Sequence, residues 1–178
     1  GQDRVFAYRH PTPSTAPIGK YVLMTPSVRL KGVHCNLARS VYFGDTLPQS
    51  IRDAYDAVCE ASAISTAKCD EGTSYQDIFG AYCDTLNKRG YQDQWRQHYP
   101  GGRTGYMVCQ PHFSLIPDRR IGNREAYEWF ATVPGAKAAE LIIKDKEQVY
   151  NASACGHWPM QHINMMGKSI TLPEIMMR

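Results

Sequence analysis

The residues of this 178-residue chain best suited to nucleophilic or acid-base chemistry are six histidines and six cysteines. His10 stands in Arg9-His10-Pro11-Thr12-Pro13, where two prolines fix φ and remove backbone donors, so the segment is extended and can wall a pocket. Its imidazole can orient a substrate or simply satisfy a loop carbonyl. His98 precedes the turn Pro100-Gly101-Gly102-Arg103-Thr104-Gly105, and the same two roles are open to it. That turn can offer backbone N–H groups and the Arg103 guanidinium to an anion, or serve only as a tight lead into a strand. It lacks the Lys-Ser/Thr ending of a phosphate-binding loop. His34 and Cys35 are adjacent, so on a strand they face opposite ways and cannot form a base and nucleophile pair; a small buried hydrophobe is the expected role of Cys35.

The composition narrows the setting of that chemistry. A chain of this length with 43% apolar residues buries roughly 70% of its unfolded surface, enough for one core without disulfides. The cysteines form no Cys-x-x-Cys pair, which predicts reduced thiols, a cytoplasmic setting and no zinc knuckle. The net charge of +3 comes without a basic run, which argues against a nucleic-acid partner. Apolar stretches stop at four or five residues such as Tyr21 to Met24, far below the roughly 20 of a membrane-spanning helix. Asn151-Ala152-Ser153 has the form of a glycosylation acceptor, but no secretory signal gives it that context.

The elements that must position these residues are legible in outline. Residues 21–43 read as an antiparallel meander with a turn at Lys31-Gly32, closed by Gly44-Asp45. Ile51, Tyr55, Val58 and Ala61 recur at helical spacing after Pro48, predicting a helix over about residues 48–67. A second helix over about 74–89 carries Tyr75, Ile78, Phe79, Tyr82 and Leu86 as one stripe, with Thr73 and Gln76 as its capping box and Gly90 as its stop. Beyond Gly90, dense Gly and Pro punctuation predicts short strands, including Tyr106 to Val108, Leu141 to Ile143 and Gln148 to Tyr150. Residues 158–177 read as further strands with a turn at Gly167.

Four blocks together resemble the creatinase/aminopeptidase P/prolidase family: Arg9 to Pro13, Asn36-Leu37-Ala38-Arg39-Ser40-Val41-Tyr42-Phe43-Gly44, Trp95 to Tyr106, and Pro134-Gly135-Ala136-Lys137. The resemblance implies an α+β pita-bread fold, a curved antiparallel sheet with helices on its convex face, here as one partial domain over residues 1–178 with its N-terminal part missing. It also implies a concave site where two metal ions activate water to cleave Xaa-Pro bonds, although creatinase uses the fold without metal. Such ions sit about 3.5–4 Å apart and need carboxylates and imidazole.

The family's ligands are two Asp, one His and two Glu. Carried over by position, the second Asp falls on Asn36, the first on Thr25, the His on Tyr99, and the two Glu on Phe130 and Ala139, with Glu125, Glu128 and Glu140 close by in the chain. An amide, a hydroxyl, a phenol, a phenyl ring and a methyl give a dication nothing that offsets its desolvation. The expectation is therefore a metal-free, cofactor-free pocket for a peptide or small carboxylate, lined by His10, Arg39, His98, Arg103 and Tyr106. The alternatives are a creatinase-type hydrolase with His10 or His98 as base, or a working metallopeptidase. A homodimer, or the missing N-terminal part, is expected to cover surface left open by the partial domain.

Overall fold

The computed structural model describes residues 2–7, 15–108 and 116–178. The chain order is α1 (Gln2–Ala7), β1 (Tyr21–Met24), β2 (Ser27–Leu30), β3 (Val33–Asn36), β4 (Arg39–Tyr42), α2 (Gln49–Ala67), α3 (Tyr75–Lys88), β5 (Gly101–Thr104), β6 (Glu125–Val133), β7 (Ala136–Asp145), β8 (Gln148–Asn151), β9 (Met160–Met165), β10 (Lys168–Pro173) and β11 (Met176–Met177). One 3₁₀ turn, Gln94–Arg96, precedes β5. No helix among the described residues is long and apolar enough to cross a membrane.

The expected meander is instead one long hairpin with a break. Tyr21 pairs with Tyr42 and Met24 with Arg39, while Ser27 pairs with Asn36 and Leu30 with Val33, all in a single register about the Lys31-Gly32 turn. Pro26 has no N–H for the ladder. Leu37 N still donates to Pro26 O in register at 3.2 Å, and Ala38 N, which faces away from β1 in the alternating ladder, donates to Ala139 O of β7 at 2.9 Å. β11 then adds to β4 in parallel, the one departure from the antiparallel pattern among the described sheets.

The four-stranded sheet β5-β6-β7-β8 is the platform. Its two long strands close at Pro134-Gly135, with Trp129 opposite Glu140 and Phe130 opposite Ala139. Residues alternate between faces along a strand. One face carries Ala131, Val133, Ala136 and Ala138 into a core shared with Ile51, Ala54, Tyr55, Ala57, Val58 and Ala61 of α2. Alanines on both partners let the helix lie close against the sheet, and the α+β expectation of helices on one face is met. Tyr75 and Ile78 of α3 pack with Tyr127, Trp129 and Ile142 in a second cluster.

The cap of α3 lies one residue beyond the expected Thr73 and Gln76. Ser74 is the N-cap: its Oγ accepts from Asp77 N at 3.1 Å and donates to Asp77 Oδ2 at 2.7 Å. Thr73 is held otherwise, its carbonyl accepting from Ile121 N at 2.8 Å. The strand expected at Tyr106 to Val108 is a bend, and the ladder runs earlier, over Gly101–Thr104. Strand propensity lost there to pairing geometry, because Gly101 alone fits its place. Its φ is +111°, and a Cβ added to it would stand 1.9 Å from the carbonyl oxygen of Glu128. Both atoms belong to backbone, so neither can swing away. Gly101→Ala should therefore destabilise the chain by about 3 kcal/mol or more, read as a shift of the urea midpoint; an unchanged midpoint would mean that β5 does not lie against β6 in this register.

A cavity at the break of the hairpin

The break at Pro26 opens a cavity of about 170 Å³ between the hairpin and the platform, several times the volume of a water molecule. Thr25, Pro26, Ser27, Asn36 and Leu37 line it from the hairpin, Phe130, Lys137 and Ala139 from β6 and β7, and His98, Tyr99 and Val108 from the flanks of β5. The positions Thr25, Asn36, Tyr99, Phe130 and Ala139, far apart in sequence, thus converge on one space, and His98 joins them. Its described lining contains a single ammonium and no carboxylate. Among the described residues no three His, Cys, Asp or Glu side chains come together.

The polar groups of this wall have defined partners. His98 Nδ1 lies 2.9 Å from the carbonyl oxygen of Tyr99, which only accepts, so Nδ1 carries the proton. Nε2 is then the acceptor for Lys137 Nζ at 3.1 Å. The same ammonium lies 5.4 Å from the centre of the Phe130 ring, within reach of a cation–π attraction. Tyr99 stacks on His98 with centroids 5.0 Å apart, and both meet Phe130 edge-on. The cavity therefore pairs a buried positive charge with aromatic walls.

Behind the wall lie Glu128 and Glu140, which the sequence placed only close to the expected ligand positions, both wholly buried. Glu128 accepts from Asn36 twice, at 2.7 Å from the backbone N and 2.8 Å from Nδ2. Glu140 meets Arg39 Nη1 at 2.5 Å and accepts from Asn151 Nδ2 at 2.8 Å and Ser153 Oγ at 2.6 Å. Arg39, expected at the pocket, is thus spent on a buried ion pair, with its guanidinium also donating to the carbonyls of Ala38 and Ser153. Asn151, formally a glycosylation acceptor, points into this network. A signal was available: an Asp or Glu inside a strand buried on both faces must find a donor.

The remaining candidates separate. Arg103 and Tyr106 line a different cavity of about 470 Å³, and His10 lies outside the described residues. Cys35, half-buried beside the site, has its thiol pushed up by burial and by the charges of Glu128 and Glu140, against a smaller opposing effect of Arg39, so it is not a ready nucleophile.

A model of metallopeptidase family M24 matches residues 3–141. Among solved structures, the chain is similar to a prolidase from Thermococcus sibiricus, with a TM-score of 0.76 and 16% identity over 97% of this chain and 44% of that one. A dipeptidase from Pyrococcus horikoshii gives 0.72 and 20% over 84% and 44%. The N-terminal domain of the FACT complex subunit SPT16 from chickpea gives 0.59 and 14% over 72% and 34%. These likenesses establish the pita-bread fold, and the chain spans less than half the length of these solved relatives. No curated protein matches it.

The Asn36 to Glu128 contact yields a signed test. Asn36→Asp would set a second carboxylate against a buried one, which raises the folded-state pKa of the pair above the unfolded value of about 4. A raised acid contributes full stability only while protonated. The variant should thus lose about 1–3 kcal/mol at pH 7, with the gap from wild type closing toward pH 4 as measured by urea denaturation; an equal gap at both pH values would refute the contact.

Proposed function

Because the chain belongs to metallopeptidase family M24, we propose that it keeps the family's fold and cleft but uses the cleft to bind a peptide end or small carboxylate, without a dinuclear metal centre. The observation that carries this reading is the donor set of the cavity. Thr25, Asn36, Tyr99, Phe130 and Ala139 offer neutral side chains, and the charge among the described lining residues is the Lys137 ammonium. Hard dications need several anionic oxygens, and a buried ammonium opposes their approach. The residues present do not fit a metal pair, so no hydrolytic step is assigned to one.

The same charge suits a carboxylate. A ligand oxygen entering between Lys137 and Asn36 would meet an ammonium, while the faces of Phe130 and Tyr99 would cover an apolar body such as a proline ring. The cavity volume matches a small acid or the end of a peptide better than an extended chain. Catalysis with His98 as base is less well supported, since its Nε2 already accepts from Lys137 and has no lone pair to spare for a substrate proton. That a chain named as a subunit of a complex shares the fold supports binding as a use of it.

Metal content should be measured by plasma mass spectrometry after incubation with manganese, cobalt and zinc and desalting. We expect near-zero stoichiometry, and about two ions per chain would overturn the metal-free reading. Calorimetric titration with glycyl-proline and with acetate should show binding that Lys137→Met abolishes while its circular dichroism stays native. Equal affinity in the variant, or no heat with either probe, would sink the carboxylate pocket.

A further inference from the structure

The opening strand residues of β6 carry a second surface, separate from the cavity at the hairpin break. Two hollows of about 470 Å³ each share Arg124, Glu125 and Ala126, so they form one groove across the start of the strand. Tyr106 and Met107 stand at one end, 76% and 60% exposed, and Tyr150 stands at the other, 48% exposed. The Tyr106 ring lies against the hairpin tip, where a Cβ on Gly32 would be 3.1 Å from it. That contact joins the groove to exposed Leu30 and Val33. Tyr, Met and Arg gathered on an open surface are the composition of a protein interface rather than of ordinary solvated surface.

The cations along the groove, Arg103, Arg124 and Lys146, outnumber its acids, Glu125 and Asp145, and are positioned. Glu125 accepts from Arg103 Nη1 at 2.9 Å, Arg119 Nη2 at 3.1 Å and Gly122 N at 3.0 Å, and from the Tyr127 hydroxyl. One carboxylate therefore holds two guanidiniums in place and neutralises one of them. Arg124 and Lys146 add two more cations, and the exposed Asp145 lies 3.9 Å from Arg124 Nε. Both residues adopt left-handed backbone, φ 55° and 51°. Asn123 Oδ1 accepts from both of their N–H groups, at 2.8 Å and 2.6 Å. Glycine or asparagine would occupy such turns with less strain, so cations stand where the backbone favours something else.

We propose that this groove docks an acidic peptide segment of a partner protein, with its carboxylates on Arg103, Arg124 and Lys146 and its interspersed apolar side chains on Tyr106, Met107 and Tyr150. The test uses the full chain and a fluorescein-labelled peptide alternating Glu with Leu and Phe, read by fluorescence anisotropy. Binding should weaken as salt rises. The double variant Arg124→Asn, Lys146→Asn relieves the left-handed strain, so it should melt at or above the wild-type temperature and yet bind roughly tenfold more weakly or worse. A peptide with Gln in place of Glu should bind no better to wild type than the acidic peptide binds to the variant. Unchanged affinity in the variant, equal binding of the Gln peptide, no binding by wild type, or displacement by a lower concentration of single-stranded oligonucleotide or phosphatidylserine vesicles would each overturn the proposal. Binding of glycyl-proline at Lys137 is untouched by these substitutions, so the two readings fail independently.

Discussion

Two carboxylates buried in the middle of the platform, Glu128 and Glu140, are the constraint around which the rest is arranged. Placing either in the sheet without a partner would cost several kcal/mol, and in each case the partner comes from the broken hairpin: Asn36 for Glu128 and Arg39 for Glu140. The hairpin is thus fastened to the platform at two points three residues apart, with the backbone bond from Ala38 to Ala139 between them. β2 adds no apolar fastening, being exposed along its whole length, so the apolar part comes from Ala38 and Leu23 against Phe130 and Ala139. The donors do not fit elsewhere. A register slip of one residue would turn Asn36 and Arg39 away from both acids.

The same fastening locates the chemistry. Pro26 and Asn36 line the cavity at the break, and the outward-facing N–H of Ala38 ties the same stretch of the hairpin to Ala139 O, so the cavity lies beside the anchor. Its electrostatics follow as well. Negative charge sits behind the wall, satisfied by protein donors, and the Lys137 ammonium faces the space. A site of this polarity attracts anions and repels cations, which is the reverse of what a pair of dications requires.

Much of this was legible in the chain, for identifiable reasons. The two principal helices announce themselves because each buries one stripe, so period and punctuation agree. Thr25, Asn36 and Tyr99 could be placed from local anchors, and they meet Phe130 and Ala139 in one cavity. Other features were hidden by physics that acts across the sheet. Glu125–Val133 shows little alternation, since β6 is covered on both faces, and Glu128 and Glu140 are legible in the chain only as neighbours of the expected ligand positions, because their partners lie 92 and 101 positions away. Ser74 and Thr73 are equally good caps by type. Only the bonds from Tyr75 N to Arg119 O and from Ile121 N to Thr73 O decide which one opens the helix.

The separation of His98 and Tyr99 from Arg103 and Tyr106 shows how a strand divides what a sequence block joins. In the chain they form one run around a glycine-rich turn, which invites a single pocket. Gly101–Thr104 is extended, however, and at about 3.3 Å per residue it alone sets roughly 10 Å between its ends. Residues at opposite ends of such a strand cannot grip one small ligand. Glycine at position 101 decides the matter, because its fit against Glu128 O pins the strand to β6 over its whole length. The loop-like composition of this block serves close strand pairing, and that pairing turns one apparent site into two: a cavity with a buried ammonium, and an open groove with cations at its surface.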